Sequence, residues 1–91
     1  MIEFDPNKNA LNIAKHGISL AAAESFQWET ALIAVDDRRD YGEERRVALG
    51  LLAGTLHVLV FTPRGAFTRA ISLRRANQRE IFRYEAARAR F

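Results

Sequence analysis

The stretch RRVALGLLAGTLHVLVFTPRGAFTRAISLRR, residues 45–75, decides the fold. It breaks into three runs rich in aliphatic, β-branched and aromatic residues: Arg45 to Leu52, Leu56 to Thr62 and Phe67 to Leu73. Each reads as a strand. Ala53-Gly54 separates the first two runs, and Pro63-Arg64-Gly65-Ala66 the second two. Connections this short force antiparallel hairpins. The middle run, Leu56-His57-Val58-Leu59-Val60-Phe61, is apolar at nearly every position. That predicts a central strand covered on both sides.

Working outward, Ala31 to Val35 reads as another strand, and Asp36 to Gly42 as a charged loop. Met1 to Phe4 is short and alternating, as an edge strand can be. Asp5 then stands as an N-cap with Pro6 at the first helical position. Ala10, Leu11, Ile13 and Ala14 supply an apolar face for a helix over 6–16. Lys15 and His16 favour its C-terminal dipole, and Gly17 suits the left-handed residue that ends it. Ser19 caps a second helix over 20–27, with Ile18 and Ala23 spaced as a hydrophobic staple. At the other end, Asn77 opens a last helix running to about Arg90, with Glu80 at the capping-box position. The predicted order is β-α-α-β-β-β-β-α. This is a single α+β domain over residues 1–91, an antiparallel sheet with two N-terminal helices and a C-terminal helix.

The 91 residues contain no cysteine, which excludes a disulfide framework and thiolate metal ligands. No apolar run approaches the roughly 20 residues that span a bilayer, so no membrane association is expected. Glu3 and the lack of an apolar core segment argue against a signal peptide, so a cytoplasmic location is expected. The net charge of +3 conceals an asymmetry. Residues 1–44 carry four cations against nine acids, a net −5, whereas residues 45–91 carry ten arginines against two acids, a net +8. A basic half of this kind suits a polyanion or an acidic partner. Arginine's planar fork suits phosphate and cannot readily act as a base.

There is no phosphate-binding glycine loop, no dinucleotide fingerprint, no zinc-protease motif and no nucleophile elbow. No His, Asp and Glu share metal-ligand spacing, and no metal or cofactor is expected. The arginines of the last two strands and the last helix remain. Alternation directs Phe67, Arg69, Ile71 and Leu73 to one face, and Thr68, Ala70, Ser72 and Arg74 to the other. Arg69 and Arg45 therefore share faces with apolar residues. Each must meet a bound anion, a carbonyl, or a carboxylate such as Glu43, Glu44 or Glu80. Arg79 and Arg83 form a basic stripe one turn apart, with Glu80 and Tyr84 on a neighbouring face. His57 reads as a satisfied core histidine, and Trp28 as a core or partner-facing aromatic.

Several strings together resemble one family. Phe4-Asp5-Pro6-Asn7-Lys8 followed by Asn12-x-x-Lys15-His16-Gly17-Ile18-Ser19 is similar to the opening of BrnT proteins. Tyr41-Gly42-Glu43-Glu44-Arg45 resembles that family's central motif. Arg69-Ala70-Ile71-Ser72-Leu73-Arg74-Arg75-Ala76, with Arg79-Glu80 and Tyr84, resembles its C-terminal signature. Leu73 departs from the Ala more common there, a change of packing rather than chemistry. The resemblance implies the toxin of a type II toxin–antitoxin pair, with a RelE-like fold and a ribonuclease activity that halts translation. It also implies a BrnA-like antitoxin, whose ribbon-helix-helix part binds operator DNA, in a heterotetramer of two toxins and two antitoxins.

RNA cleavage of this kind needs a base for the 2′ proton, cations for the phosphate and an acid for the leaving oxygen. Arg69 and Arg74 are the leading phosphate candidates, with Arg45, Arg64, Arg79 and Lys15 behind them. His16, His57, Glu80, Tyr84 and Lys15 are the candidates for proton transfer, and no spacing selects among them. The arginines are expected to gather around one scissile phosphate. The competing expectation is a non-catalytic module that binds nucleic acid or protein through the same basic surface.

Overall fold

The computed structural model describes residues 1–89. The elements are β1 (Ile2–Glu3), α1 (Pro6–His16), a 3-10 helix (Leu20–Ser25), β2 (Leu32–Asp36), β3 (Arg45–Leu52), β4 (Thr55–Arg64), β5 (Phe67–Arg75) and α2 (Gln78–Arg88). The strands form one sheet in the order β1-β5-β4-β3-β2, which places β4 at the centre as its composition predicts. The expected end of the last helix, near Arg90, falls outside the described residues.

Local signals act as the sequence implies. The Asp5 side chain accepts from the Asn7 N–H at 2.8 Å. Gly17, at φ 72°, ends α1 and donates its N–H to the Ile13 carbonyl. The Asn77 and Glu80 side chains cap each other's backbone N–H, at 2.9 and 2.8 Å. The β3–β4 turn uses Ala53 at φ 51° and Gly54 at φ 79°. Two left-handed residues give a turn whose twist matches the strands it joins.

Four expectations are corrected. First, the sheet is mixed: β1 runs parallel to β5, pairing Ile2 with Thr68 and Glu3 with Arg69, while the other pairings are antiparallel. Second, the segment after Ser19 is a six-residue 3-10 helix ending at Ser25, not an α-helix to 27. Third, α1 does not dock through an apolar face. Leu11 is 70% and Ile13 46% exposed, and the buried residue is Asn12. Its amide accepts from the Leu73 N–H at 3.0 Å and donates to the Leu73 and Ile18 carbonyls at 2.9 Å. Asn12 thus takes the place of a neighbouring strand where β1 has ended. Asn9 accepts from the Leu20 N–H at 2.7 Å beside it.

Fourth, β5 is bulged. Val60 pairs with Ser72 but Phe61 pairs with Ala70, so Ile71 is the extra residue. Alternation reverses there. Ala70 and Leu73 both enter the core, and Arg69 and Arg74 fall on the same side of the sheet rather than on opposite sides.

One sheet face packs Ala48, Leu52, Leu59, Phe61, Ala70 and Leu73 against Leu20, Ala23 and Phe26. Trp28 joins them edge-on to Phe26 and Phe61, with ring centroids 5.0 Å away in each case. Gly50 lets Phe26 approach, since a Cβ there would lie 2.7 Å from its Cζ. The other face buries Leu49, Leu56 and Val58 beneath Ile81 and Tyr84 of α2. No residue of α2 is fully buried, and Phe82 is 62% exposed.

Candidate nucleic-acid interface

α2 covers one end of its sheet face, and the remainder is a cleft of about 660 Å³. Its floor is Val47, Leu49, Val58 and Val60 of the central strands. Strand β2 forms one wall, and Ser72, Arg74, Glu80 and Arg83 lie opposite. A second hollow, about 310 Å³, lies between α1 and β5. Lys8, Leu11, Asn12, Lys15 and His16 line it from the helix, and Ile71, Ser72 and Arg74 from the strand. Ser72 and Arg74 border both concavities.

Arg74 is held end-on by Glu80. Its Nη1 donates to Oε1 at 2.9 Å and its Nη2 to Oε2 at 2.8 Å. Nη1 also donates to the Arg75 carbonyl at 3.2 Å. A guanidinium has five N–H donors. The Nε–H and one Nη2–H of Arg74 therefore have no partner among the described residues. Together they form a second fork of the kind that matches two phosphate oxygens.

Glu80 is bound on both sides, by Arg74 and by the Asn77 N–H. The Arg74 hydrogen bonds, with lesser help from Asn77 and Arg83, hold its pKa at about 2 despite partial burial. Such a carboxylate carries no proton near neutrality and is a poor base. The geometry makes it a holder of Arg74. The reciprocal effect raises the Arg74 pKa, again chiefly through Glu80.

The other sequence-predicted residues disperse. Arg69 pairs with Glu3 of β1 at 3.3 Å, not with Glu43, Glu44 or Glu80. It sits opposite Thr62 while Arg74 sits opposite Val58, four residues or about 13 Å along the strand. Arg69 borders neither concavity. Arg45 pairs with Glu43 at 3.3 Å and lies 4.1 Å over the Tyr41 ring. Arg64 and Arg79 are exposed, outside both concavities and without an ion-pair partner among the described residues. The Tyr84 hydroxyl donates to the Thr30 carbonyl at 3.1 Å, which fastens α2 to the segment before β2. His57 is buried, with Nδ1 2.7 Å from the Thr55 carbonyl, as a satisfied core histidine. The expected gathering of arginines around one point is therefore not what the fold builds. It brings Arg74 together with His16 and Lys15 and leaves Arg69 and Arg45 outside.

Sequence reasoning passed over Lys8, Arg38, Ser72 and Arg83 as site residues. Lys8 carried a signal, because it lies seven residues before Lys15 and so on the same helical face. Arg83 was visible in the stripe with Arg79. Arg38 was not visible, since its place depends on buried Asp36. Asp36 accepts from Arg38 Nε at 2.8 Å, Arg38 Nη2 at 3.0 Å and the Tyr41 hydroxyl at 3.2 Å. Arg38 above all, then Tyr41, holds the Asp36 pKa at about 2 against the opposing effect of desolvation. The Tyr41-to-Arg45 motif thus staples the β2–β3 loop. Among the described residues no three His, Asp or Glu side chains group as metal ligands, and no helix is long and apolar enough to cross a membrane.

Fold and site define a small α+β domain whose α2-bearing face is an open cleft, joined to a cationic hollow at one anchored arginine. The family model described as "Ribonuclease toxin, BrnT, of type II toxin-antitoxin system" matches residues 4–80. The chain belongs to that family. It is a family of ribonuclease toxins, and membership implies an antitoxin partner and an RNA target. No curated protein matches the chain.

Proposed function

We propose that this chain is a metal-independent endoribonuclease that halts translation in the cytoplasm and is neutralised by a BrnA-like antitoxin. The observation that carries the reading is Arg74, anchored by Glu80 with one donor fork left over, at the junction of two concavities. A fixed guanidinium stabilises charge on a phosphate without changing protonation state. The 2′ oxygen attacks the adjacent phosphorus and the bond to the 5′ oxygen breaks. A 2′,3′-cyclic phosphate forms, and the proton lost from the 2′ hydroxyl is balanced by one delivered to the 5′ oxygen. His16 is the best-placed side chain for proton transfer, since Glu80 and Tyr84 are engaged elsewhere. The proposal extends to a RelE-like fold, a ribbon-helix-helix antitoxin that carries the pair to operator DNA, and a heterotetramer.

The test is RNA decay by the purified chain in chelator, beside its Arg74→Ala and Arg69→Ala forms. Cleavage should persist in chelator, fall steeply in Arg74→Ala and change little in Arg69→Ala. Decay abolished by chelator overturns metal independence, and equal decay in all forms overturns the role of Arg74. Salt-sensitive RNA binding without scission would favour the non-catalytic module. Growth arrest on expression, relieved by a co-expressed antitoxin, tests the pairing.

A further inference from the structure

We infer that the hollow between α1 and the bulge of β5, rather than the larger cleft, is the subsite that grips an RNA backbone phosphate, with Lys8, Lys15 and the remaining fork of Arg74 as its donors. This rests on the ribonuclease reading and locates the phosphate within it.

Charge separates the two concavities. Arg38, Arg74 and Arg83 border the cleft, but so do Asp36, Asp37 and Glu80, and its floor is aliphatic. Cations and acids cancel there. Lys8, Lys15 and Arg74 border the hollow with His16 beside them; among the described residues no carboxylate lines it, and Glu80 offsets Arg74 but neither lysine. A phosphodiester leaving water is favoured where cations are unopposed and penalised where acids stand among them. The larger space is therefore the poorer phosphate site.

The hollow is also preorganised. Lys8, Asn12 and Lys15 lie four and three residues apart, on one helical stripe. Asn12, in the middle, is buried and fixed to the Leu73 backbone on both its donor and acceptor sides. The two lysines project from one turn to either side of that anchor. Across the hollow, Glu80 fixes Arg74 end-on, which leaves its Nε side for a ligand. The bulge supplies the remaining wall, since the extra residue lets Ile71 and Ser72 both border the space. Both sides are thus held by buried or bidentate bonds, and binding requires little ordering beyond the lysine side chains.

Lys8 and Lys15 are exposed, so a Lys8→Gln/Lys15→Gln double variant should keep its melting temperature. Binding is measured on the full chain with a 2′-O-methylated single strand, which cannot be cleaved. Inorganic phosphate is titrated separately while the His16 ring and Arg74 Nε–H resonances are followed. The double variant should bind the strand roughly tenfold more weakly. Its log–log salt slope should be shallower by about 0.7, the loss of one phosphate contact. Arg83→Gln in the cleft should do less. Unchanged affinity and slope in the double variant, with binding lost in Arg83→Gln, overturns the subsite while the nucleic-acid reading stands. Phosphate that shifts both resonances without any strand binding supports an anion site and overturns the RNA reading. No response to strand or phosphate overturns both.

Discussion

On one side of the sheet Leu59, Leu73 and Ala70 lie sealed beneath Leu20 and Phe26. On the other, Val58 and Leu49 meet Ile81 and Tyr84 at one end, and the floor continues into the open cleft. The sealed face is built from apolar contact. The open face is fastened by polar bonds at its margin: Arg74 to Glu80, Tyr84 to Thr30, and Arg38 to Asp36. The contrast separates stability from function. Burial on the first side fixes the strands in register. Margins held by charge-assisted bonds on the second hold side chains in place while a surface stays accessible.

The largest expected effect on the fold comes from the sealed side. Leu59→Ala should cost about 2–5 kcal/mol, read from urea unfolding. Val60→Ala, on the same strand but facing the cleft, should cost about 1 kcal/mol. Equal costs would erase the contrast between the faces. The reverse pattern is expected for activity. Arg74→Ala should lower RNA cleavage by about 10²–10³ while the chain stays folded, and Arg74→Lys, which restores charge but not the fork, should recover only part.

A smaller effect falls at the seam where α1 meets β5. Asn12→Ala strands the Leu73 N–H and two carbonyls and should cost about 1–3 kcal/mol. Asn12→Asp keeps the acceptor but loses the donor, and should not restore stability. Full recovery by Asp would mean that the carbonyl contacts are dispensable. Hydrogen exchange at the Leu73 amide, faster in both variants, locates the loss.

The smallest effect is one of pH. Glu80 has a folded-state pKa of about 2 against an ordinary 4.5. A depressed carboxylate stabilises the fold fully above its unfolded pKa, and that stabilisation fades as pH falls from 4.5 towards 2. Asp36, also near 2, acts in the same direction from 3.8 downwards. Glu80→Gln keeps a capping-box side chain but removes the charge. Its thermal midpoint should lie slightly below that of the parent at pH 7 and converge with it near pH 2. A constant gap across that range would assign the effect to capping rather than to the Arg74 pair.

What was legible in the chain was local. The caps at Asp5 and Asn77, the left-handed Gly17 and the Ala53-Gly54 turn act within a few residues, so the sequence carries their full cause. The central strand was legible because apolar residues on both faces leave a strand no other place. The charge asymmetry was legible as composition, but not as a site. Ion pairing depends on which carboxylate arrives, and the fold delivers Glu3 to Arg69, Glu43 to Arg45 and Glu80 to Arg74.

The sequence alone settled the strands of the sheet, the caps at Asp5, Gly17 and Asn77, the hairpins and membership in a toxin family. Tertiary structure decided the parallel seating of β1, the extra residue at Ile71 that reversed the face of Arg69, and the use of Asn12 as a surrogate strand. It also decided which single arginine meets a histidine and two lysines across a hollow. Those outcomes depend on partners up to 66 residues away in the chain, and no short-range preference encodes such pairings before the sheet has closed.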